Sequence, residues 1–218
     1  MPKDVDHDVR REELLEAVWR VIAREGMERA TIRSIARETG WSSGVLAHYF
    51  ADKDDLLSSA LRLAYERIAA RWSVKLEGLR GIRALHELVL DNLPLDDERE
   101  LETKFLMNYW SRAIRGGDVV PRPVRRGPLL IDLLTELARD GQQAGEIVPG
   151  EKPEDIAERL LGLIDGLSLH ALLDPERLTR ERQVSLIGQE FDRLSASRAI
   201  NAGGDGGAAK STKGKTHA

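Results

Sequence analysis

The sequence predicts an all-α protein: an N-terminal three-helix helix-turn-helix unit, joined by a long fourth helix to a larger helical half. Three observations carry that class. Apolar residues recur every three or four positions along almost the whole chain, and no alternating run is long enough to argue for a strand. Glycine and proline interrupt the pattern at helix-length intervals. Thr31, Ser42 or Ser43, and Asp52 stand immediately ahead of periodic segments, where N-cap residues belong.

The elements follow in order. The first helix spans about 9–25, with Leu15, Val18, Trp19 and Ile22 on one stripe and Gly26 as a left-handed stop. The second starts after Thr31, turns Ile32, Ile35 and Ala36 inward and ends at Gly40. A third of barely two turns follows Ser42 or Ser43. Asp52 caps the fourth, with Asp54 and Asp55 in its first turn where the helix dipole favours negative charge. This fourth helix reads as continuous over 53–79, roughly 40 Å at about 1.5 Å per residue. Further helices are expected at about 82–93, 97–115, 124–144, 154–173 and 179–197, divided by Pro94, the GGDVVPRP loop, the PGEKP turn and Pro175. Pro128 belongs in the first turn of its helix or kinks it. The expected organisation is a helix-turn-helix unit over 1–52, a larger helical domain over 53–198, and a disordered, glycine-rich tail over 199–218.

Bulk properties narrow the function. The chain has 218 residues, 41% hydrophobic and 32% charged, enough for one large domain or two small ones sharing a core. No apolar run approaches the roughly 18 residues of a membrane span, and MPKDVDHDVRREE is charged where a secretory signal is apolar, so a cytoplasmic protein without a membrane partner is expected. Cysteine is absent, which excludes disulfides, thiolate metal sites and thiol sensing. With a net charge of -4, no global positive field attracts nucleic acid, so phosphate contacts need a local patch. The chain has no Glu-x-x-His pair, no phosphate-binding G-x-x-x-x-G-K loop and no G-x-S-x-G elbow, so neither a metal, a cofactor nor an enzyme is expected.

Such a patch lies around WSSGVLAHYFADKDDLL, residues 41–57. Small Ala36 and Gly40 allow two helices to cross steeply over a short turn. On the third helix Leu46 and Phe50, flanked by Val45 and Tyr49, face inward, which leaves Ser43, Gly44, Ala47 and His48 outside. That face is small and uncharged, suited to close approach. Between Arg29 and Tyr49 the charges are Arg29, Arg33, Arg37 and Glu38, a net +2 in an acidic chain. A recognition helix entering a major groove, with arginines and hydroxyls such as Thr31 gripping phosphates, accounts for this pattern. The alternative class, a helical small-molecule-binding protein or enzyme without DNA binding, has no need of the arrangement between Thr31 and Lys53.

Residues 10–57 resemble the DNA-binding domain of TetR-family transcriptional regulators through TIRSIARETG, SSGVLAHYF and DKDDLL. GVLAHYFADKDDLL and LIDGLSLHALL are similar to the branch containing the choline and betaine regulators. The resemblance implies a ligand-responsive regulator, most often a repressor, that binds double-stranded DNA. It also implies that His48, Tyr49 and Lys53 hold the DNA backbone while Ser42, Ser43, Gly44, Val45 and Ala47 face bases. Many family members carry tyrosine in place of Ala47 and lysine or arginine in place of Ser43. Without a bidentate guanine contact from either position, DNA shape is expected to supply part of the specificity.

One helix-turn-helix unit reads only a few base pairs, so a homodimer on a palindromic operator is expected. Gly162, Leu163, Gly166, Leu167 and His170, with Ile187, Phe191 and Leu194 on the last helix, are the candidate dimer residues. The crowded run KFLMNYWSRAI offers Phe105, Met107, Asn108, Tyr109 and Trp110, with Trp72 on the long helix, as the wall of a small-molecule effector pocket. An aromatic wall of this kind suits a quaternary ammonium or another apolar cation.

Overall fold

The computed structural model describes residues 3–115 and 126–195; the expected GGDVVPRP loop and the expected tail lie outside them. The described residues form α1 (Lys3–Glu25), α2 (Ile32–Thr39), α3 (Ser43–Tyr49), α4 (Lys53–Lys75), α5 (Gly81–Asp91), α6 (Asp97–Ile114), α7 (Arg126–Gln143), α8 (Pro153–Leu173) and α9 (Arg180–Leu194). Among them no residue belongs to an extended strand; one isolated bridge joins Ile147 to Ser195. No described helix is long and apolar enough to cross a membrane. The all-α expectation holds, and Pro128 falls in the first turn of α7.

Capping explains most boundaries. Thr31 and Ser34 close a reciprocal box at the start of α2: Ser34 N–H donates to Thr31 Oγ1 (3.1 Å) and Thr31 N–H to Ser34 Oγ (2.8 Å). Asp52, Asp96 and Thr179 accept the N–H groups of Asp55, Arg99 and Arg182 at the starts of α4, α6 and α9. The fourth helix is shorter than the sequence suggests. It stops at Lys75 because Leu76 closes a tight turn onto Trp72 and Val74, and Gly78 (φ 73°) then takes the left-handed conformation that leads the chain away. Its 23 residues still span about 34 Å.

Gly81, expected as a loop residue, opens α5 at φ 55°, and a β-carbon there would collide with the Glu146 carboxylate and approach Gly141 Cα at 3.3 Å. The neighbouring Arg80 supplies no side-chain cap. Glu146, 64 residues away, caps α5 instead by accepting Ile82 N–H at 2.9 Å.

The helix-turn-helix unit is not an appendage. Its α1 packs on α2, α4 and α6, and one apolar core runs from Leu14, Val18 and Ile35 through Leu61 and Ile68 to Leu85, Leu134 and Leu160. Trp19 of α1 joins the parts: its Nε1–H donates to the Ala60 carbonyl of α4 (3.0 Å), and its ring lies 5.9 Å from Phe105 of α6. Arg67 of α4 covers the same ring at 5.3 Å while pairing with Glu12 and Glu16.

A second tie joins α4 to the larger half. Asp91 of α5 and Glu102 of α6 are almost fully buried carboxylates, and Arg71 of α4 binds both, with Nε to Asp91 (2.9 Å) and Nη2 to Glu102 (2.9 Å). Lys75 adds a 2.6 Å contact to Asp91. Partial burial works against the guanidinium charge, but the hydrogen bonds and field of Glu102, then of Asp91, outweigh it and hold the Arg71 pKa above the ordinary arginine value. Orientation of the long helix is thus set by a charge pair on each of two neighbours.

Candidate nucleic-acid interface

The turn between α2 and α3 is built by backbone bonding around one left-handed residue. Gly40 (φ 72°, ψ 10°) returns its N–H to Ala36 O, and Trp41 N–H reaches the same carbonyl at 3.0 Å. Thr39 Oγ1 donates to the Ile35 and Ala36 carbonyls, both at 3.1 Å. Ser42 then caps α3 by accepting Val45 N–H. Leu46 and Phe50 are buried with Ile35 and Ala36, which fixes the rotation of the short helix.

That rotation leaves Ser43, Gly44, Ala47 and His48 exposed, as the sequence predicts. Val45, which the helical pattern sets beside the core and the family resemblance turns toward bases, is 39% exposed and extends the outward face. Tyr49 is half-buried; its ring lies 5.9 Å from Trp41 and 5.8 Å from His48. Trp41 was not among the expected site residues, yet its packing fixes the end of α3. No periodicity signal marks it, because it stands in the turn.

Charges around this face are arranged to favour an anion. Arg29 and Arg33 are exposed and form no ion pair among the described residues, and Arg37 lies at the 4.0 Å margin from Glu25. Glu38 is turned toward α1, where Arg20 (3.2 Å) and Arg24 (3.1 Å) hold it. Its partial burial raises the carboxyl pKa, but those hydrogen bonds outweigh the effect and bring it below the usual range. The acids at the start of α4 are also engaged: Asp52 caps the helix, Asp55 accepts Ala51 N–H (3.0 Å) and Asp54 pairs with Arg112 (2.9 Å).

Two expected contacts are already committed within the chain. Thr31 spends its hydroxyl on the α2 cap. Lys53, expected to reach a phosphate, is half-buried, and its ammonium donates to the Met27 carbonyl at 3.1 Å. It must swing outward to touch DNA, because its hydrogen bond to Met27 holds the ammonium inward.

In the larger half the expected dimer residues separate into two groups. Leu167, Ile187, Phe191 and Leu194 are largely buried within the chain; Phe191 packs edge-on against His86 at 4.7 Å. Helical period alone could not tell the inward from the outward stripe of an apolar helix. Gly162 and His170 are exposed, Leu163 and Gly166 half-buried. Beside them stand three exposed apolar side chains: Val184, which shares the apolar period of Ile187, Phe191 and Leu194 on the last helix, and Leu169 and Leu173, which are not among the candidate dimer residues.

The expected effector wall is only partly assembled. Phe105 is fully buried between Trp19 and Tyr109, a core position that no ligand can touch without displacing α1. Asn108 donates to the Lys104 carbonyl at 2.9 Å, and its Oδ1 lies 3.7 Å from where a Gly26 β-carbon would stand. Met107, Tyr109 and Trp110 are half-buried and Trp72 is buried.

Comparison with known proteins adds independent findings. Residues 14–60 match the family described as "Bacterial regulatory proteins, tetR family", and residues 81–196 match "BetI-type transcriptional repressor, C-terminal". The chain is 34% identical over 203 residues to the HTH-type transcriptional regulator PksA of Bacillus subtilis strain 168, covering 89% of this chain and 94% of that protein. It is 26% identical over 197 residues to the HTH-type transcriptional regulator BetI of Vibrio atlanticus, covering 88% and 95%. Among solved structures, a transcriptional regulator from Rhodococcus sp. RHA1 has a TM-score of 0.70 at 27% identity, covering 84% of this chain and 95% of that one. A transcriptional regulator from Saccharomonospora viridis, solved in complex with choline, shares the fold with a TM-score of 0.76 at 24% identity, covering 85% and 96%.

Proposed function

Since the chain belongs to the TetR family of transcriptional regulators, with a C-terminal half of the BetI type, we propose that it binds a palindromic operator as a homodimer and is released from it by a small-molecule effector. The observation that carries this reading is the outward face of α3: Ser43, Gly44, Val45, Ala47 and His48 are exposed and include no acidic residue, lysine or arginine, while Arg29 and Arg33 of the same helix-turn-helix unit are exposed as well. A solvated face would carry charge; this one is shaped for contact with base edges, with the arginines placed for phosphates. Tyr49 and a swung-out Lys53 complete the backbone grip. The boundary between DNA-binding unit and effector domain falls at about residue 52, before the long helix that both share.

Support for a second copy packing on α8 and α9 comes from their glycines and exposed apolar side chains. Among the described residues, a β-carbon on Gly162, Gly166 or Gly188 would meet nothing within 4 Å. A helix-interior glycine costs about 1 kcal/mol relative to alanine. Among the described residues no contact at these glycines offsets that cost, whereas a partner helix crossing there would. Leu169 (43% exposed), Leu173 (70%) and Val184 (41%) stand on the same two helices as apolar anchors. His170, Leu163 and the glycines complete the surface.

The effector reading rests on Trp72, Met107, Tyr109 and Trp110, which line α4 and α6 around the core. Because Arg71 fixes α4 to Asp91 and Glu102, a ligand that shifts α5 or α6 shifts α4 and the spacing of the two recognition helices. A tenfold loss of DNA affinity needs only about 1.4 kcal/mol of differential binding.

The double change Leu169→Glu and Leu173→Glu tests the assembly. Circular dichroism is expected to show an unchanged helical chain, sedimentation to show a monomer, and operator affinity to fall at least about 100-fold as one of two half-sites is lost. A variant that remains dimeric with intact operator binding would place the dimer elsewhere.

A further inference from the structure

Where the helix-turn-helix unit meets the C-terminal end of α6, a cavity of 390 Å³ is lined by Met27, Glu28, Lys53, Arg112 and Arg115. Three of the five described residues that line it are cations. Arg112 reaches Asp54 at 2.9 Å and Arg115 reaches Glu28 at 2.9 Å, so each guanidinium has an anion. Lys53 does not: its hydrogen bond goes to the neutral Met27 carbonyl. Among the described residues, counting Asp54 and Glu28 against the three cations leaves one positive charge in excess.

The geometry sets like charges against each other. Burial lowers the Lys53 pKa below the usual lysine value, and the Arg112 charge lowers it further; Asp54 and Glu28 act in the opposite sense. An anion in the cavity relieves that repulsion and gives the ammonium a partner, while the two guanidinium forks are suited to its oxygens. The cavity has room for more than a bare ion.

We propose that this junction is an anion site that takes the phosphoryl group of a small metabolite on Lys53, Arg112 and Arg115. Occupancy holds the Lys53 ammonium in the cavity and withdraws it from the DNA backbone, so anion and operator compete for the same side chain. That coupling rests on the regulator reading given above; the site itself does not.

Inorganic phosphate is the probe, titrated at constant ionic strength against chloride. The first measurement is calorimetric, on the DNA-free wild-type protein and on Arg112→Ser and Arg115→Ser, which lie outside the proposed DNA-binding residues. Saturable binding of one phosphate per chain is expected, weakened at least about tenfold in each variant. The second measurement is operator affinity: phosphate should weaken the wild type several-fold more than matched chloride, and the variants should bind operator but lose this phosphate response. No saturable binding to the free protein, or binding that both variants retain, overturns the proposal. So does a loss of operator affinity in the variants without free-phosphate binding, which would assign these cations to the DNA backbone. If the protein binds no DNA at all, the calorimetric arm still decides whether the site exists.

Discussion

Replacing Ala47 with glutamate is expected to lower operator affinity at least about 100-fold, equivalent to about 2.7 kcal/mol, while leaving the folded protein intact. Ala47 is exposed on α3, so the new side chain fills no core space, and glutamate is a good helix former. Its carboxylate would face a duplex lined with phosphates and base-edge acceptors, where like-charge contact costs several kcal/mol. Ala47→Ser is the control; it changes size and polarity slightly without adding charge and should alter affinity only a few-fold. Thermal unfolding of both variants should match the wild type, which separates an interface effect from a folding effect. Equal operator affinity for Ala47→Glu and wild type would remove α3 from the interface.

The largest expected stability effect comes from Arg71→Met. The change removes the cation that holds Asp91 and Glu102, two carboxylates that are 2% and 3% exposed. Breaking a buried pair in this way costs about 3–5 kcal/mol, because the surviving charge is left without its partner. For a chain of this length the corresponding fall in Tm is roughly 10 °C. Lys75 still reaches Asp91, so Glu102 is the group left most exposed to the loss. Adding Asp91→Asn and Glu102→Gln to Arg71→Met should restore much of the stability, since the neutral trio avoids buried charge altogether. If Arg71→Met alone melts like the wild type, the clamp does not set the position of α4.

Legibility in the sequence followed the range of the interactions. The Thr31 cap, the Gly40 turn and the inward Leu46 and Phe50 are specified within a few residues, and each is found where local chemistry puts it. The end of α4 was misplaced because two glycines, Gly78 and Gly81, both take positive φ, and sequence alone does not say which one breaks the helix. Ile187, Phe191 and Leu194 carry a regular apolar period, but that period reports a buried stripe without saying whether its cover comes from the same chain or another. Phe105 illustrates the same limit: an aromatic at helical spacing proved to be core against Trp19. The charge ties were invisible for a different reason. Arg71 with Glu102, Arg112 with Asp54 and Glu146 with Ile82 join residues 31, 58 and 64 positions apart, and any surface arginine or glutamate has the same local signature.

The most direct measurement is equilibrium binding of the wild-type protein to the duplex upstream of its own gene, with footprinting and stoichiometry, beside a scrambled duplex of equal length. Two chains per duplex are expected, protecting half-sites about 34–36 Å apart, with scrambled DNA bound at least about 1,000-fold more weakly. Equal affinity for both duplexes, or saturation by a single chain without a paired footprint, would contradict the assignment of α3 as a recognition helix in a two-fold regulator.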